Sequence, residues 1–79
     1  MTNIELYKKA FVDGLGVEES QVEGLEYQAI NEWDSVGHMS LVSAIEEAFD
    51  IMLDTDDIIE FSSYEKGKEI LAKNYSVEF

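Results

Sequence analysis

The chain has 79 residues, 46% of them apolar, no cysteine and no proline, and eighteen acidic against five basic residues give a formal charge of −13. That length describes one domain, residues 1–79, able to bury only about 60% of its unfolded surface, and the apolar content excludes a disordered tail. Without cysteine there is no disulfide framework, thiolate nucleophile or thiolate metal site. Strong negative charge repels nucleic-acid phosphates and anionic lipid surfaces and favours basic protein partners.

Thr2 and Glu5 stand at capping-box spacing, which predicts a helix starting there. Ile4, Tyr7, Phe11 and Leu15 recur at spacings of three and four, so this helix carries one apolar stripe, and Gly14 with Gly16 is expected to stop it. From Val17 to Trp33 no period is sustained. Val22, Leu25, Tyr27, Ile30 and Trp33 nevertheless recur often enough to predict an ordered connection. A loop of that length inside a small domain is commonly functional.

Asp34 is a good N-cap for the next helix, and its carboxylate complements the positive end of the helix dipole. Leu41, Ile45, Ala48 and Phe49 form the predicted inward stripe, while Ser35, Met39, Ser43, Glu46 and Glu47 fall to one outer side. Gly37 reads as a weak point, costing about 0.8–1.0 kcal/mol against alanine in a helix interior. Asp54 to Phe61 reads as a short helix with acids in its first turn and with Ile58 and Phe61 inward. Ser62 and Glu65 suggest a second capping box before a last helix carrying Tyr64, Gly67, Lys68, Leu71 and Tyr75. Residues 74–79 are expected to fray. The expected fold is therefore all-α, a four-helix bundle of three main helices and one short one.

Ser35 lies in the first turn of an amphipathic helix, where unpaired backbone N–H groups favour a phosphate. The Asp34-Ser35 pair is followed, six residues after the serine, by the apolar Leu41. Before it come Leu15-Gly16-Val17 and a long loop, and after it come Ile45-Glu46-Glu47-Ala48-Phe49-Asp50 and Ser62-Ser63. In this arrangement, from Ile4 to about Leu71, the chain resembles the acyl carrier proteins.

The resemblance implies an acyl-carrier-protein-like fold, and that Ser35 is esterified with 4′-phosphopantetheine, whose thiol holds acyl intermediates as thioesters. A separate phosphopantetheinyl transferase, using coenzyme A and magnesium, would install the arm. It further implies that Glu46 and Glu47, with the small apolar contacts Val36 and Met39, meet basic docking patches on acyl-loading, condensing or acyl-transferring enzymes. The chain itself would be a monomer and no enzyme. Two positions depart from the common pattern of fatty-acid and polyketide carriers. Glu32 stands where those carriers often have the glycine of Leu-Gly-x-Asp-Ser, so the loop must take another path. Ser43 replaces a docking-face residue that is often apolar. Both favour a specialised free-standing carrier serving a lipid, envelope or secondary-metabolite pathway.

Other readings compete. An aminoacyl or peptidyl carrier would use the same arm with different cargo, and an acidic helical module could bind basic proteins without a prosthetic group. Ser35 and His38, three apart, could be nucleophile and base with Asp34, but no Gly-x-Ser-x-Gly elbow accompanies them. A solvent-exposed or partner-contacting His38 is the expectation. Trp33 is expected to pack against the domain, the alternative being an aromatic anchor offered to a partner. Asp54, Asp56 and Glu65 fall on EF-hand positions one, three and twelve, yet Ile58 and Ile59 occupy positions five and six, so no metal cage is expected. Gly67 leaves open either room for an alkyl chain or close helix packing. No apolar run approaches the ~20 residues of a membrane span and the start lacks a secretory signal, so the expected location is cytoplasmic.

Overall fold

A computed structural model describes residues 2–79, which are mostly helical, with no strands among the described residues. In chain order they form α1 (Asn3–Leu15), α2 (Glu19–Val22), α3 (Ser35–Phe49), α4 (Thr55–Glu60) and α5 (Tyr64–Asn74). Five helices thus stand where four were expected. The addition is α2, a single turn inside the long connection, too short for its periodicity to register in sequence.

The capping box at the head of α1 is present. Glu5 N donates to Thr2 Oγ1 at 3.2 Å, while Thr2 N and Oγ1 donate to Glu5 Oε1 at 3.2 and 3.0 Å. Those donors hold the Glu5 carboxyl below its ordinary value. At the other end only Gly16 acts as the stop: it is left-handed, at φ 71°, and its N–H reaches Val12 O. Gly14 belongs to the helix. A Cβ there would stand 2.7 Å from Leu41 Cα, so this glycine lets α1 and α3 approach closely.

One apolar cluster runs through the domain and centres on aromatic rings: Tyr7, Phe11, Trp33, Phe61 and Tyr64 are all buried. Phe11 meets Trp33 edge-on at 5.5 Å between centroids, and Tyr7 meets Phe11 edge-on at 5.1 Å. Each such pair adds about 0.5–1.5 kcal/mol beyond area burial. On α3 the buried stripe is Leu41, Val42 and Ile45, whereas Ala48 and Phe49 are only half-buried. The space beside Gly67 is filled, because a Cβ there would collide with the Phe61 ring and the Tyr7 hydroxyl. Close packing, not room for a chain, accounts for that glycine.

The connection from residue 17 to 33 is pinned in mid-course. Tyr27 N donates to Ser62 O and Tyr64 N to Leu25 O, both at 2.9 Å, making one antiparallel bridge between Glu26 and Ser63. This bridge keeps residues 62 and 63 extended, so α5 starts one residue later than expected. Its N-cap is Ser63, whose Oγ accepts from Lys66 N at 3.0 Å, not Ser62. With lysine at the third helical position, no reciprocal box with Glu65 forms.

The expected frayed end, residues 74–79, is instead folded back. Val77 is buried, and its N–H donates to Leu71 O at 3.1 Å; Asn3 Nδ2 donates to Glu78 O at 2.9 Å; Phe79 packs on Tyr7 at 5.3 Å. Tyr75 ties this end to α4. Its hydroxyl donates to Asp57 Oδ2 at 2.6 Å and accepts from Asp54 N at 2.8 Å. Asn74 Nδ2 adds a bond to Asp57 Oδ1 at 3.0 Å, so Asp57 is buried and paired.

Burial pushes the phenols of Tyr7, Tyr64 and Tyr75 up from their ordinary value; Tyr64 and Glu65 raise Tyr7 further, the Asp57 carboxylate raises Tyr75 further, and Lys8 partly offsets the rise at Tyr64. A phenol whose pKa is raised by folding contributes stability that is complete below the unfolded value of about 10 and is lost as pH rises above it. Denaturant midpoints should therefore fall steadily once pH exceeds about 10. In an ultraviolet phenolate titration, Tyr7 should ionise only with unfolding. Full ionisation of all four tyrosines in the still-helical protein near pH 10 would contradict this packing.

Candidate functional site

Ser35 is the first residue of α3 and is exposed. Asp34 caps the helix as expected, with Oδ1 accepting from Gly37 N at 2.8 Å and its carbonyl accepting from His38 N at 2.7 Å. The N–H groups of Ser35 and Val36 belong to the first turn and have no intrahelical acceptor, so the positive end of a 15-residue helix lies beside the Ser35 hydroxyl. This arrangement suits an anion held at that oxygen.

Gly37 is no weak point. A Cβ on it would collide with the carbonyl oxygen of Glu32, so the loop crosses directly over the first turn of α3 at this position. Glu32 thus contributes its backbone to the approach. Sequence periodicity carried no signal of this contact, because the constraint is a nonlocal backbone approach.

Next to this crossing, Trp33 is fully buried. Its Nε1–H donates to His38 Nδ1 at 2.9 Å, the two rings lying within 16° of coplanar, and His38 Nε2 stands 2.7 Å from Ile58 O. An indole can only donate and a carbonyl can only accept, so the imidazole is the neutral tautomer with its proton on Nε2. His38 is therefore neither exposed nor free for a partner. It links the long loop, α3 and α4, and neither ring nitrogen is available to take a proton from Ser35.

The predicted docking residues divide. Val36 is 76% exposed, Met39 52%, and Glu47 and Ser43 are exposed on the same side. With Asp13 and Gly14 of α1 they line an open groove that begins at Ser35. Glu46 differs: it is half-buried, and its Oε2 accepts from Leu53 N at 2.8 Å while its carbonyl accepts from Ile51 N at 3.0 Å. It shapes the turn after α3 and is not a free docking acid. Met52 in the next loop and Ile59 of α4 are also largely exposed.

Charge is distributed unevenly. All five basic residues are lysines of α1 or α5, and no lysine or arginine occurs between Lys9 and Lys66. Of these, Lys8 pairs with Glu23 at 2.6 Å, Lys9 with Asp13 at 3.0 Å and Lys66 with Glu69 at 3.8 Å. Within α3 and α4 the charged residues are therefore acids, although Lys9 lines a groove with Glu47 and Lys73 lines one with Asp54 and Asp56. The linear sequence displays that basic-free span, a signal that charge totals alone miss.

No protein-family model, curated protein or solved structure matches this chain.

The crossing over α3 yields a direct test. Helix propensity alone predicts that Gly37→Ala stabilises the protein by up to about 1 kcal/mol. The clash with the Glu32 carbonyl predicts the reverse, a loss of about 1–3 kcal/mol in urea denaturation. A gain in stability would show that the loop does not pass where it is described.

Proposed function

We propose that this chain is an acyl carrier protein, a non-enzymatic module bearing 4′-phosphopantetheine on Ser35 and presenting thioester-bound intermediates to successive enzymes. The observation that carries the reading is the placement of Ser35: an exposed hydroxyl at the capped start of the longest helix, where a phosphodiester gains from the helix terminus. The sequence resemblance supplies the identity of the arm. In the acyl-carrier-like arrangement, α1, α3 and α5 are the main helices, α4 is the short one, and α2 belongs to the connection.

The chain would not activate its own serine. A phosphopantetheinyl transferase supplies base and magnesium, and Ser35 displaces the phosphopantetheinyl phosphate from coenzyme A, releasing adenosine 3′,5′-bisphosphate. The arm then provides the thiol that a cysteine-free chain lacks.

Val36, Met39 and Glu47 form the docking surface for acyl-loading, condensing or acyl-transferring enzymes with basic patches. Charge on this face speeds encounter, and the apolar pair sets the fit. The protein works as a cytoplasmic monomer in a specialised lipid, envelope or secondary-metabolite pathway.

Incubation with coenzyme A, magnesium and a broad-specificity transferase should add the mass of one phosphopantetheine, and Ser35→Ala should abolish the gain. A thiol-reactive probe should label only the modified form, because the bare chain has no cysteine. An unchanged mass with a transferase active on a control carrier would instead favour an acidic interaction module without a prosthetic group.

A further inference from the structure

We propose that His38 is a positioning residue for the modification of Ser35, holding the first turn of α3 in the shape that the phosphopantetheinyl transferase engages. This rests on the carrier reading of Ser35 and adds what that partner requires of the chain.

The four residues Asp34 to Gly37 are closed off by a hook between the side chains that flank them, Trp33 Nε1–H donating to His38 Nδ1 at 2.9 Å. Both arms of the hook are anchored. Trp33 is fully buried and its carbonyl accepts from Gln28 N at 2.9 Å, while His38 Nε2–H reaches Ile58 O at 2.7 Å. Inside the hook, Asp34 accepts from Gly37 N and His38 N at 2.8 and 2.7 Å, and Gly37 lies against the Glu32 carbonyl. The backbone at Ser35 is thus held from both sides, although its side chain is exposed. With both ring nitrogens committed, the imidazole acts on Ser35 only through that backbone.

In the transfer, Ser35 Oγ bonds to the pantetheine-side phosphorus of coenzyme A as the bond to adenosine 3′,5′-bisphosphate breaks, and the hydroxyl proton passes to the transferase's base. The oxygen must arrive in line with the breaking bond, and a turn already held in that geometry loses less freedom on docking. An exposed helix start held by its cap alone opens readily. A chain that visits the engaged shape for only part of the time binds more weakly in proportion to that fraction. The loss then appears in KM, with kcat at saturating carrier unchanged.

Initial rates of modification of the full chain, measured with a broad-specificity transferase, coenzyme A and magnesium below the melting temperature of every variant, test this. His38→Leu removes the acceptor and should raise KM several-fold at unchanged kcat. Trp33→Phe opens the hook from its other arm and should do the same. His38→Asn keeps an acceptor close to the place of Nδ1 and should bring KM most of the way back. Thr2→Ala is the control for lost stability alone: it removes the cap of α1, and Leu15, at the opposite end of that 13-residue helix, is the residue beside Gly37. It should lower the denaturation midpoint and leave KM as it is. Amide exchange gives a readout without the transferase, in which the Gly37 and His38 N–H groups should exchange several-fold faster in His38→Leu than in the unmutated chain.

An unchanged KM in both His38→Leu and Trp33→Phe would overturn the proposal. So would His38→Asn behaving no better than His38→Leu, or Thr2→Ala raising KM as much as either. An unmutated chain left bare by a transferase active on a control carrier fails the carrier reading itself, and the positioning role falls with it. A chain modified equally well with and without the hook fails the positioning role alone.

Discussion

A fully buried indole needs an acceptor for its one N–H, and much of this fold is organised around the way Trp33 obtains it from His38. Leaving such a donor unpaired would cost about 1–3 kcal/mol, a large share of what a domain this size can spare. Meeting the need brings three segments together: the end of the long loop, the first turn of α3, and the carbonyl of Ile58 on α4. The loop then has one route to Asp34. Its Glu32 carbonyl crosses above Gly37, Asp34 caps the helix, and Ser35 is left outside at the helix terminus. The exposed Ser35 hydroxyl is thus located by a packing requirement in the core.

The charge pattern belongs with that placement. Lysines are confined to α1 and α5, and most engage a neighbouring acid, whereas α3 and α4 carry acids alone. Such an arrangement gives the molecule an uneven field. Not every acid serves that field. Glu46 is committed to the turn before α4, and Asp57 is paired with Tyr75 and Asn74 to hold the C-terminal end. Glu47, Val36 and Met39 remain free on the outer side of α3.

Elements controlled by local chemistry were legible in the sequence: the Thr2 box, the Gly16 stop, the Asp34 cap, and the faces of α1 and α3 that follow helical spacing. What escaped was set by distant partners. The Glu26–Ser63 bridge moves the start of α5 from its best sequence signal, and the crossing of Glu32 over Gly37 inverts that glycine's meaning. A terminal segment reads as frayed until Val77 meets Leu71 and Tyr75 meets Asp57, contacts that local composition does not announce. At the site, Ser35 and its cap were readable because they depend on neighbours in the chain. The commitment of His38 was not, because its second partner is a backbone oxygen twenty residues away.

The central claim is that the exposed Ser35 hydroxyl is the root of a prosthetic arm. Intact-mass measurement of the protein purified from its own cells, followed by peptide mapping, tests it most directly. The account predicts a population carrying one phosphopantetheine, with or without an acyl group, on the peptide that contains Ser35. Protein recovered wholly unmodified, or modified only at another residue, would contradict it.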